Sequence, residues 1–393
     1  MMDLSGSIDR SLKARARRVA EVALAHADDV DRQARFPQEA LQALKAEKLL
    51  GIQIPMDFGG EGASISEIAD ICTILGQACA STAMIFAMHQ IKVSSQVQHH
   101  ADAPWHLDFM RRIAREQLLL GSATTEAGIG GNLRNSICAI EIDGELCRLE
   151  KEASVISYAR AADAILVTSR AHKDAAPSDQ VMTVFLKDQY ALTKTYDWDT
   201  LGMRGTCSEG FLFRGEAPAA QILPMAFAEI AAQSMLAYSH LLWSAVWYGI
   251  AQDAYAKAQA FIRAAVRKQP GSQPPGLVQL AHMSAELQAI RSTILAGLDH
   301  FEAARHDEDR LSSMGFAVAM NNVKIAASEM ILPVINQALR ICGIMGYKNG
   351  TPFSLGRHLR DAHSAELMIS NDRILANTSN MLLVHKAETS LLG

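Results

Sequence analysis

The sequence predicts a multidomain α+β protein in which a β domain lies between two helical regions. Residues 1–120 carry apolar side chains at every third or fourth position, which is the period of an amphipathic helix. Residues 121–225 contain short alternating runs and the pair Asp143-Gly144, a strong signal for a β-hairpin turn. The helical period returns over residues 226–393. These limits predict three domains.

The N-terminal region is predicted to be helical with one long interruption. Leu41, Leu44 and Leu49 are examples of its helical apolar spacing. The segment GIQIPMDFGGEGAS, residues 51–64, holds one proline and four glycines. Because glycine and proline punctuate regular structure, this segment is predicted to be a loop.

The central region is predicted to consist of short strands. Residues 137–150 read as a hairpin around its Asp-Gly turn, and four further runs are strand-like: ASVISYA, AILVTSR, VMTVFLK and EGFLFRG. The long stretch 235–266 then predicts a helix of the third domain. A crevice between such layers is a favoured place for a ligand.

Composition narrows the class of protein. Hydrophobic residues make up 49% of the 393 residues, which suffices for large cores. The net charge of -5 gives no basic surface for nucleic acid. The start of the chain lacks a long apolar core, and the run at 241–251 is too short to span a bilayer, so neither a signal peptide nor a membrane span is expected. Six scattered cysteines show no metal-site spacing and fit a reduced, cytoplasmic location.

Five motifs in order along the chain resemble those of the acyl-CoA dehydrogenase family. They are GIQIPMDFGGEG (51–62), SATTEAGIGGN (122–132), SVISYARAAD (154–163), LGMRGTCSEGFLF (201–213) and ICGIMGYKNGTPFSLGRHLRDA (341–362). The resemblance implies an N-terminal helical domain, a central β-barrel domain and a C-terminal four-helix bundle. It also implies FAD between the last two domains and a homotetramer. A Rossmann-type nicotinamide site is not supported, because no GxGxxG follows a strand.

The resemblance assigns residues to the flavin ring and its phosphates. A flavin that accepts a hydride needs hydrogen-bonding groups around N5, N1 and O2. Thr125 matches the family threonine at the pyrimidine end of the ring, and Ser157 matches the hydroxyl residue at the N5 edge. Gly131 stands where the family has a phosphate-binding serine, so it offers only a backbone N–H.

Further cofactor contacts are implied on the ADP side of FAD. Arg267 matches the arginine that reaches the FAD of a neighbouring subunit, and its forked donors suit a phosphate. Gly343 and Gly346 match a glycine turn that lets the backbone approach the ADP moiety. Counting from the Leu-Arg-Asp-Ala run places Asn371 and Arg373 against FAD.

The catalytic base of the family is missing from both of its usual positions. Acyl-CoA dehydrogenation needs a carboxylate within hydrogen-bonding reach of the α-proton. The commoner position falls on Ile369, and the other falls on Ser239, which is followed by His240. The nearest acids to the first position are Glu366 and Asp372, which are candidates for a displaced base.

Three functions stay open at this point. The first is FAD-dependent α,β-dehydrogenation of an acyl thioester in fatty acid metabolism, with an electron acceptor flavoprotein as partner. The second is a flavin-dependent monooxygenase of the same fold, supplied by a flavin reductase; such enzymes also lack the glutamate base and often use histidines, for which His89 is the candidate. The third is a non-catalytic flavin-binding scaffold. No metal site is predicted.

Overall fold

The computed structural model describes residues 9, 11–129, 132–271 and 273–386. The N-terminal region contains five α-helices: α1 (Leu12–Gln33), α2 (Gln38–Ala46), α3 (Ile65–Ala78), α4 (Ala80–Gln98) and α5 (Pro104–Glu116). The predicted loop 51–64 lies between α2 and α3 and contains only a short 3-10 turn. Helix α3 begins at a capping box in which Ser64 and Glu67 satisfy each other's backbone N–H. Helix α4 is buried along most of its length and forms the centre of the region.

In its described part, the central region contains seven strands: β1 (Leu120–Ala123), β2 (Glu141–Asp143), β3 (Leu146–Ala153), β4 (Ala164–Arg170), β5 (Gln180–Leu186), β6 (Tyr190–Tyr196) and β7 (Gly210–Pro218). They form two sheets, one of order β1-β4-β5 and one of order β2-β3-β7-β6. Strand β1 runs parallel to β4, and the other neighbours are antiparallel. Over the described residues the strands form two sheets, and no closed barrel is detected, so the coarser prediction of a β domain is the part that is confirmed.

The strand predictions are partly confirmed. The hairpin at Asp143-Gly144 is present, with Asp143 opposite Leu146 and Gly144 at φ +62°. The run AILVTSR is β4, and VMTVFLK and EGFLFRG fall largely on β5 and β7. The run ASVISYA is not a strand, because β3 ends at Ala153 and the chain turns at Tyr158, whose φ is +44°. Strands β1 and β6 were not predicted.

The C-terminal region is helical. Its helices are α6 (Phe227–Ile230), α7 (Leu236–Lys268), α8 (Leu277–Ala304), α9 (Glu308–Leu311), α10 (Met314–Cys342), α11 (Ile344–Tyr347), α12 (Gly356–Ala362), α13 (Ser364–Leu367) and α14 (Asn371–Leu382). A π-helical turn, Ala231–Met235, leads into α7. Helix α10 packs against α7, α8 and α14, so the bundle consists of three long helices and one shorter helix.

The three regions meet at the start of the LGMRGTCSEGFLF motif, residues 201–213. A Cβ on Gly202 would lie 2.2 Å from the carbonyl oxygen of Arg360, so only glycine allows this approach. Asp361 accepts a hydrogen bond from the backbone N–H of Met203 at 2.7 Å. Arg360 pairs with Asp31 of α1. The Leu-Arg-Asp-Ala run therefore fastens the β domain to both helical regions.

One helix of the described part, α10, is long and apolar enough to cross a membrane by length and composition alone. Of its most apolar window, 56% is buried inside the protein, as in the core helix of a bundle. Burial by α7 and α8 accounts for that apolar surface.

Candidate active site

Two hydroxyl residues of the predicted flavin site lie on neighbouring loops of the β domain. The Thr125 Oγ1 donates to the carbonyl oxygen of Val155 at 2.9 Å, which ties the loop after β1 to the turn after β3. Ser157 lies two residues farther along that turn and is half-buried. The next residue after Thr125, Glu126, is buried and accepts from the hydroxyl of Ser136 at 2.7 Å. The motif around Thr125 is therefore held from both sides.

Ser157 is the outer member of a chain of three hydroxyl groups. Its Oγ lies 2.7 Å from the Oγ of Ser208, which lies 2.9 Å from the Oγ1 of Thr206. The Thr206 hydroxyl donates to the carbonyl oxygen of Met203 at 2.8 Å. Ser208 and Thr206 are buried, so Ser157 is the member of the chain best placed to meet a bound group.

Backbone strain is concentrated around this hydroxyl chain and at the predicted base position. Nine non-glycine residues of the described chain have positive φ, and four of them lie here: Tyr158, Met203, Cys207 and Ile369. Such conformations cost on the order of 1–3 kcal/mol each and are typical of functional sites. The strain marks both parts of the candidate site.

The turn at Ile369, where the family has its catalytic base, is bonded to a buried lysine, Lys324. Ile369 stands between α13 and α14 at φ +48°, which is unusual for a β-branched residue, and it is 36% exposed. Its carbonyl oxygen accepts from the Nζ of Lys324 on α10 at 2.9 Å. Burial lowers the pKa of Lys324 to about 8, against the opposing charges of Glu366 and Glu329. Lys324 thus fixes the turn that presents an apolar side chain where a carboxylate was expected.

Of the candidate site residues close to Ile369 in the chain, one is buried and three are exposed. Asn371 is buried, and its amide bonds to Lys324 and Ser328, so both amide atoms are used within the protein. A contact of Asn371 with FAD therefore stays a prediction, and its backbone is the part left to make it. Asp372 and Arg373 are exposed in the first turn of α14, and Glu366 is exposed on α13.

The second base position is also without a free acid. Ser239 is buried, and its hydroxyl lies 3.0 Å from the Leu236 carbonyl oxygen and 3.2 Å from the Nδ1 of His240. The Nε2 of His240 lies 3.2 Å from the Oδ1 of Asn321. Burial lowers the pKa of His240 to about 4, so the ring is neutral near pH 7. These contacts give the pair a structural role between α7 and α10.

His89 connects the loop after α2 to strand β1 through two hydrogen bonds to backbone groups. Its Nδ1 accepts from the backbone N–H of Leu120 at 3.0 Å, so its Nε2 carries the hydrogen and donates to the Leu50 carbonyl oxygen at 2.8 Å. It is fully buried, and burial lowers its pKa to about 4. Because both ring nitrogens bond to backbone, His89 has no free atom for a substrate, and its predicted catalytic role lacks support.

The predicted ADP-side residues lie at the ends of bundle helices. Gly343 ends α10 at φ +53° with no atom within 4 Å of a Cβ built there, which leaves an open backbone cradle. Gly346 is packed instead, because its Cβ would lie 2.8 Å from that of Cys342. Arg267 is exposed in the last turn of α7. Gly131 lies outside the described residues.

Lys92 is a candidate that the sequence analysis missed. It lies on α4 one turn after His89 and is only 2% exposed. Among the described residues its one polar contact is the sulfur of Met235, 3.5 Å from Nζ, in the π-helical turn before α7. A buried lysine with no acidic partner among the described residues and a π-helical turn are both features of functional sites. The sequence signal that could have identified Lys92 was a lysine in a helix whose other residues are mostly buried.

Cavities and metal ligands do not define the site by themselves. Two open cavities of the described part have volumes of ≈ 510 and ≈ 540 Å³. The larger is lined by Tyr158 and Cys207, the neighbours of Ser157 and Ser208, but not by these two serines. Within the described residues there is also no group of three or more His, Cys, Asp or Glu side chains able to hold a metal ion.

Comparison with known proteins agrees with this arrangement. The family model described as "Acyl-CoA dehydrogenase, N-terminal domain" matches residues 8–117, and "Acyl-CoA dehydrogenase, C-terminal domain" matches residues 230–379. A probable acyl-CoA dehydrogenase of Bacillus subtilis, YngJ, is 26% identical over 352 residues, which are 87% of this chain and 88% of that protein. The amino sugar nitrososynthase DnmZ of Streptomyces peucetius is 24% identical over 88% of this chain and 85% of its own.

Solved structures share the fold over nearly the whole chain. FMN-bound TdsC of Paenibacillus sp. A11-2 superimposes with a TM-score of 0.83 at 18% identity, covering 96% of this chain and 98% of that one. Methanesulfinate monooxygenase MsuC of Pseudomonas fluorescens gives a TM-score of 0.81 at 18% identity, with 96% and 98% covered. The matched domains and the fold agree, and the chain belongs to the acyl-CoA dehydrogenase family of flavin enzymes.

Proposed function

We propose that this protein is a reduced-flavin-dependent monooxygenase that uses the acyl-CoA dehydrogenase fold. The observation that carries the proposal is the absence of a carboxylate at either base position of the described chain. Ile369 presents an apolar side chain, and the Ser239 hydroxyl is occupied within α7 and by His240. Removal of a weakly acidic α-proton needs a base within hydrogen-bonding reach. Oxygen transfer to a heteroatom or an aromatic ring has no such need.

The described residues fit a flavin. Ser157 and Thr125 offer hydroxyl groups for the ring, and the backbone at Gly343 is open to the ADP side of FAD, the flavin that the family uses. When bound and reduced, the flavin supplies the electrons for oxygen activation. The chain's own part is to hold the ring edge, exclude water and present the apolar Ile369 to the substrate.

The names of some similar proteins support a monooxygenase, whereas others, such as YngJ, are named as acyl-CoA dehydrogenases. DnmZ is an amino sugar nitrososynthase and MsuC a methanesulfinate monooxygenase, and the TdsC structures include one described as dibenzothiophene monooxygenase. We therefore propose a small molecule with a nitrogen or sulfur atom, or an aromatic ring, as substrate. A flavin reductase is the proposed electron partner. A cytoplasmic location and a homotetramer are part of the same proposal.

A second candidate is acyl-CoA dehydrogenation with Glu366 as a displaced base. Two observations favour it. Glu366 is exposed three residues before Ile369, and its charge interacts with that of Lys324, which holds the same turn. The other acid, Asp372, lies in the first turn of α14, where a carboxylate stabilises the helix start. That position gives Asp372 a structural reason to be present.

The two functions differ in how the bound flavin reacts with oxygen. The protein would be supplied anaerobically with FAD or FMN reduced by a flavin reductase and NADH, then mixed with oxygenated buffer. A monooxygenase should reoxidise its flavin more slowly than free reduced flavin, and a suitable nitrogen or sulfur substrate should speed the last step and gain oxygen. Reoxidation identical to that of free flavin with every substrate class would count against the proposal.

A further inference from the structure

The hydroxyl chain behind Ser157 has a direction that is set at its inner end. A hydroxyl group has one hydrogen to donate. Thr206 gives its hydrogen to the Met203 carbonyl oxygen, which can only accept. Ser208 then donates to Thr206 across 2.9 Å, and Ser157 donates to Ser208 across 2.7 Å. The arrangement leaves the lone pairs of the Ser157 oxygen, and not its hydrogen, for a group outside the protein.

The inner acceptor is itself fixed in place. The carbonyl oxygen of Met203 also accepts from the indole Nε1 of Trp198 at 3.1 Å. The backbone N–H of Met203 donates to the carboxylate of Asp361 at 2.7 Å. With both of its backbone polar groups bonded, Met203 cannot turn its carbonyl away from Thr206 without breaking other bonds.

The backbone on both sides of Ser157 is fastened to the segment that carries Ser208. The N–H of Ile156 donates to the Glu209 carbonyl oxygen at 2.9 Å, and that of Tyr158 donates to the Thr206 carbonyl oxygen at 2.8 Å. Both segments can therefore move only together. The spacing of the three hydroxyl oxygens is set by the fold before any cofactor binds.

We propose that Thr206 and Ser208 are positioning residues that make Ser157 a hydrogen-bond acceptor for reduced flavin. The flavin N5 carries a hydrogen only after reduction, whereas in oxidised flavin N5 is an acceptor. An acceptor-oriented Ser157 therefore favours the reduced form over the oxidised form. The inference rests on the flavin site of the proposed function, but not on the choice between oxygenation and dehydrogenation.

The test is the substitution Thr206→Val, which replaces the hydroxyl group by a methyl group of similar size. Without the Thr206 oxygen, Ser208 loses its acceptor and Ser157 loses its enforced direction. Loss of one hydrogen bond of ordinary strength changes an affinity by roughly two- to twelvefold. Here the affinity for reduced flavin should fall by that factor relative to the affinity for oxidised flavin. At 29.6 mV per tenfold change for a two-electron couple, the midpoint potential of the bound flavin should fall by about 9 to 32 mV. Anaerobic reduction beside a reference dye measures the potential, and fluorescence titration measures oxidised-flavin binding.

Two further variants separate positioning from simple damage. Thr206→Ser keeps the hydroxyl and should restore the wild-type potential. Thr183→Val removes a buried hydroxyl of β5 that has no partner among the described residues, and it should leave the potential unchanged. The proposal is overturned if Thr206→Val weakens both redox forms equally, because that is what a merely structural role predicts. It is also overturned if the oxidised form is weakened more. Failure of the wild-type protein to bind any flavin would overturn this proposal and the proposed function together, whereas an unmoved potential in an oxygen-active protein would overturn only this one.

Discussion

Replacing Lys92 by methionine should stabilise the protein, and the gain should be larger in acid than in base. Burial lowers the pKa of Lys92 from 10.5 to about 7. The unfolded chain therefore binds more protons than the folded one between about pH 7 and 10.5, and stability rises with pH across that window. At 1.36 kcal/mol per pKa unit, burying Lys92 lowers the free energy of unfolding by at most about 5 kcal/mol at pH 6. By the same linkage, this decrease in the free energy of unfolding is only about 2 kcal/mol at pH 9.

The assay is urea unfolding of wild type and Lys92→Met at pH 6 and pH 9, followed by tryptophan fluorescence. Comparing the two proteins at each pH cancels the titration of every other group. Lys173→Met, which changes an exposed lysine of the β domain, is the matched control and should show little effect at either pH. An equal gain at both pH values, or a loss of stability at both, would refute the idea that Lys92 is buried without an anionic partner. A gain would also show that the lysine is kept at a cost to stability, as a functional residue is.

Three further predictions concern the cofactor and the turn at the base position. Arg267→Ala should weaken FAD binding roughly ten- to hundredfold in a fluorescence titration without loss of helical circular dichroism, because charge-assisted phosphate bonds contribute about 1.5–3 kcal/mol; unchanged affinity would leave Arg267 as a surface charge. Lys324→Met should speed amide hydrogen exchange in the turn around Ile369, since it removes the bond to that carbonyl oxygen; unchanged exchange would mean that the turn holds itself. Gly202→Ala should destabilise the protein by about 1–3 kcal/mol or more in the same urea assay, because its Cβ would meet the Arg360 carbonyl oxygen at 2.2 Å; wild-type stability would contradict that close approach.

The sequence was most informative where the signal is local. Helical periodicity located the long helices, and Asp143-Gly144 located the first hairpin, because both depend on residues close together in the chain. The order of five motifs then identified the family. The barrel was predicted from the resemblance alone, and the described strands form two separate sheets. Closure depends on contacts between distant strands, which a local pattern does not encode.

The inner parts of the candidate site could not be predicted for the same reason. Ser157 was recognised, but the partner of its hydroxyl, Ser208, lies 51 residues away along the chain. Lys324 holds a turn that lies 45 residues farther along. Asn371 was predicted to lie against FAD, and nothing in the sequence indicated that its amide oxygen accepts a hydrogen bond from the buried Lys324, 47 residues away. Long-range polar partners are set by the folded chain and not by sequence spacing.

The central proposal is that this chain does not remove the α-proton of an acyl thioester, because its base position holds Ile369. Anaerobic mixing of the FAD-loaded protein with a series of acyl-CoAs tests it most directly, with the flavin absorbance band as the signal. Ile369→Glu is the matched variant, since it restores a carboxylate at the base position of the family. We predict no bleaching of the wild-type flavin by any acyl-CoA, and bleaching in the variant. Rapid bleaching of the wild-type flavin, abolished by Glu366→Gln, would contradict the claim and establish a displaced base.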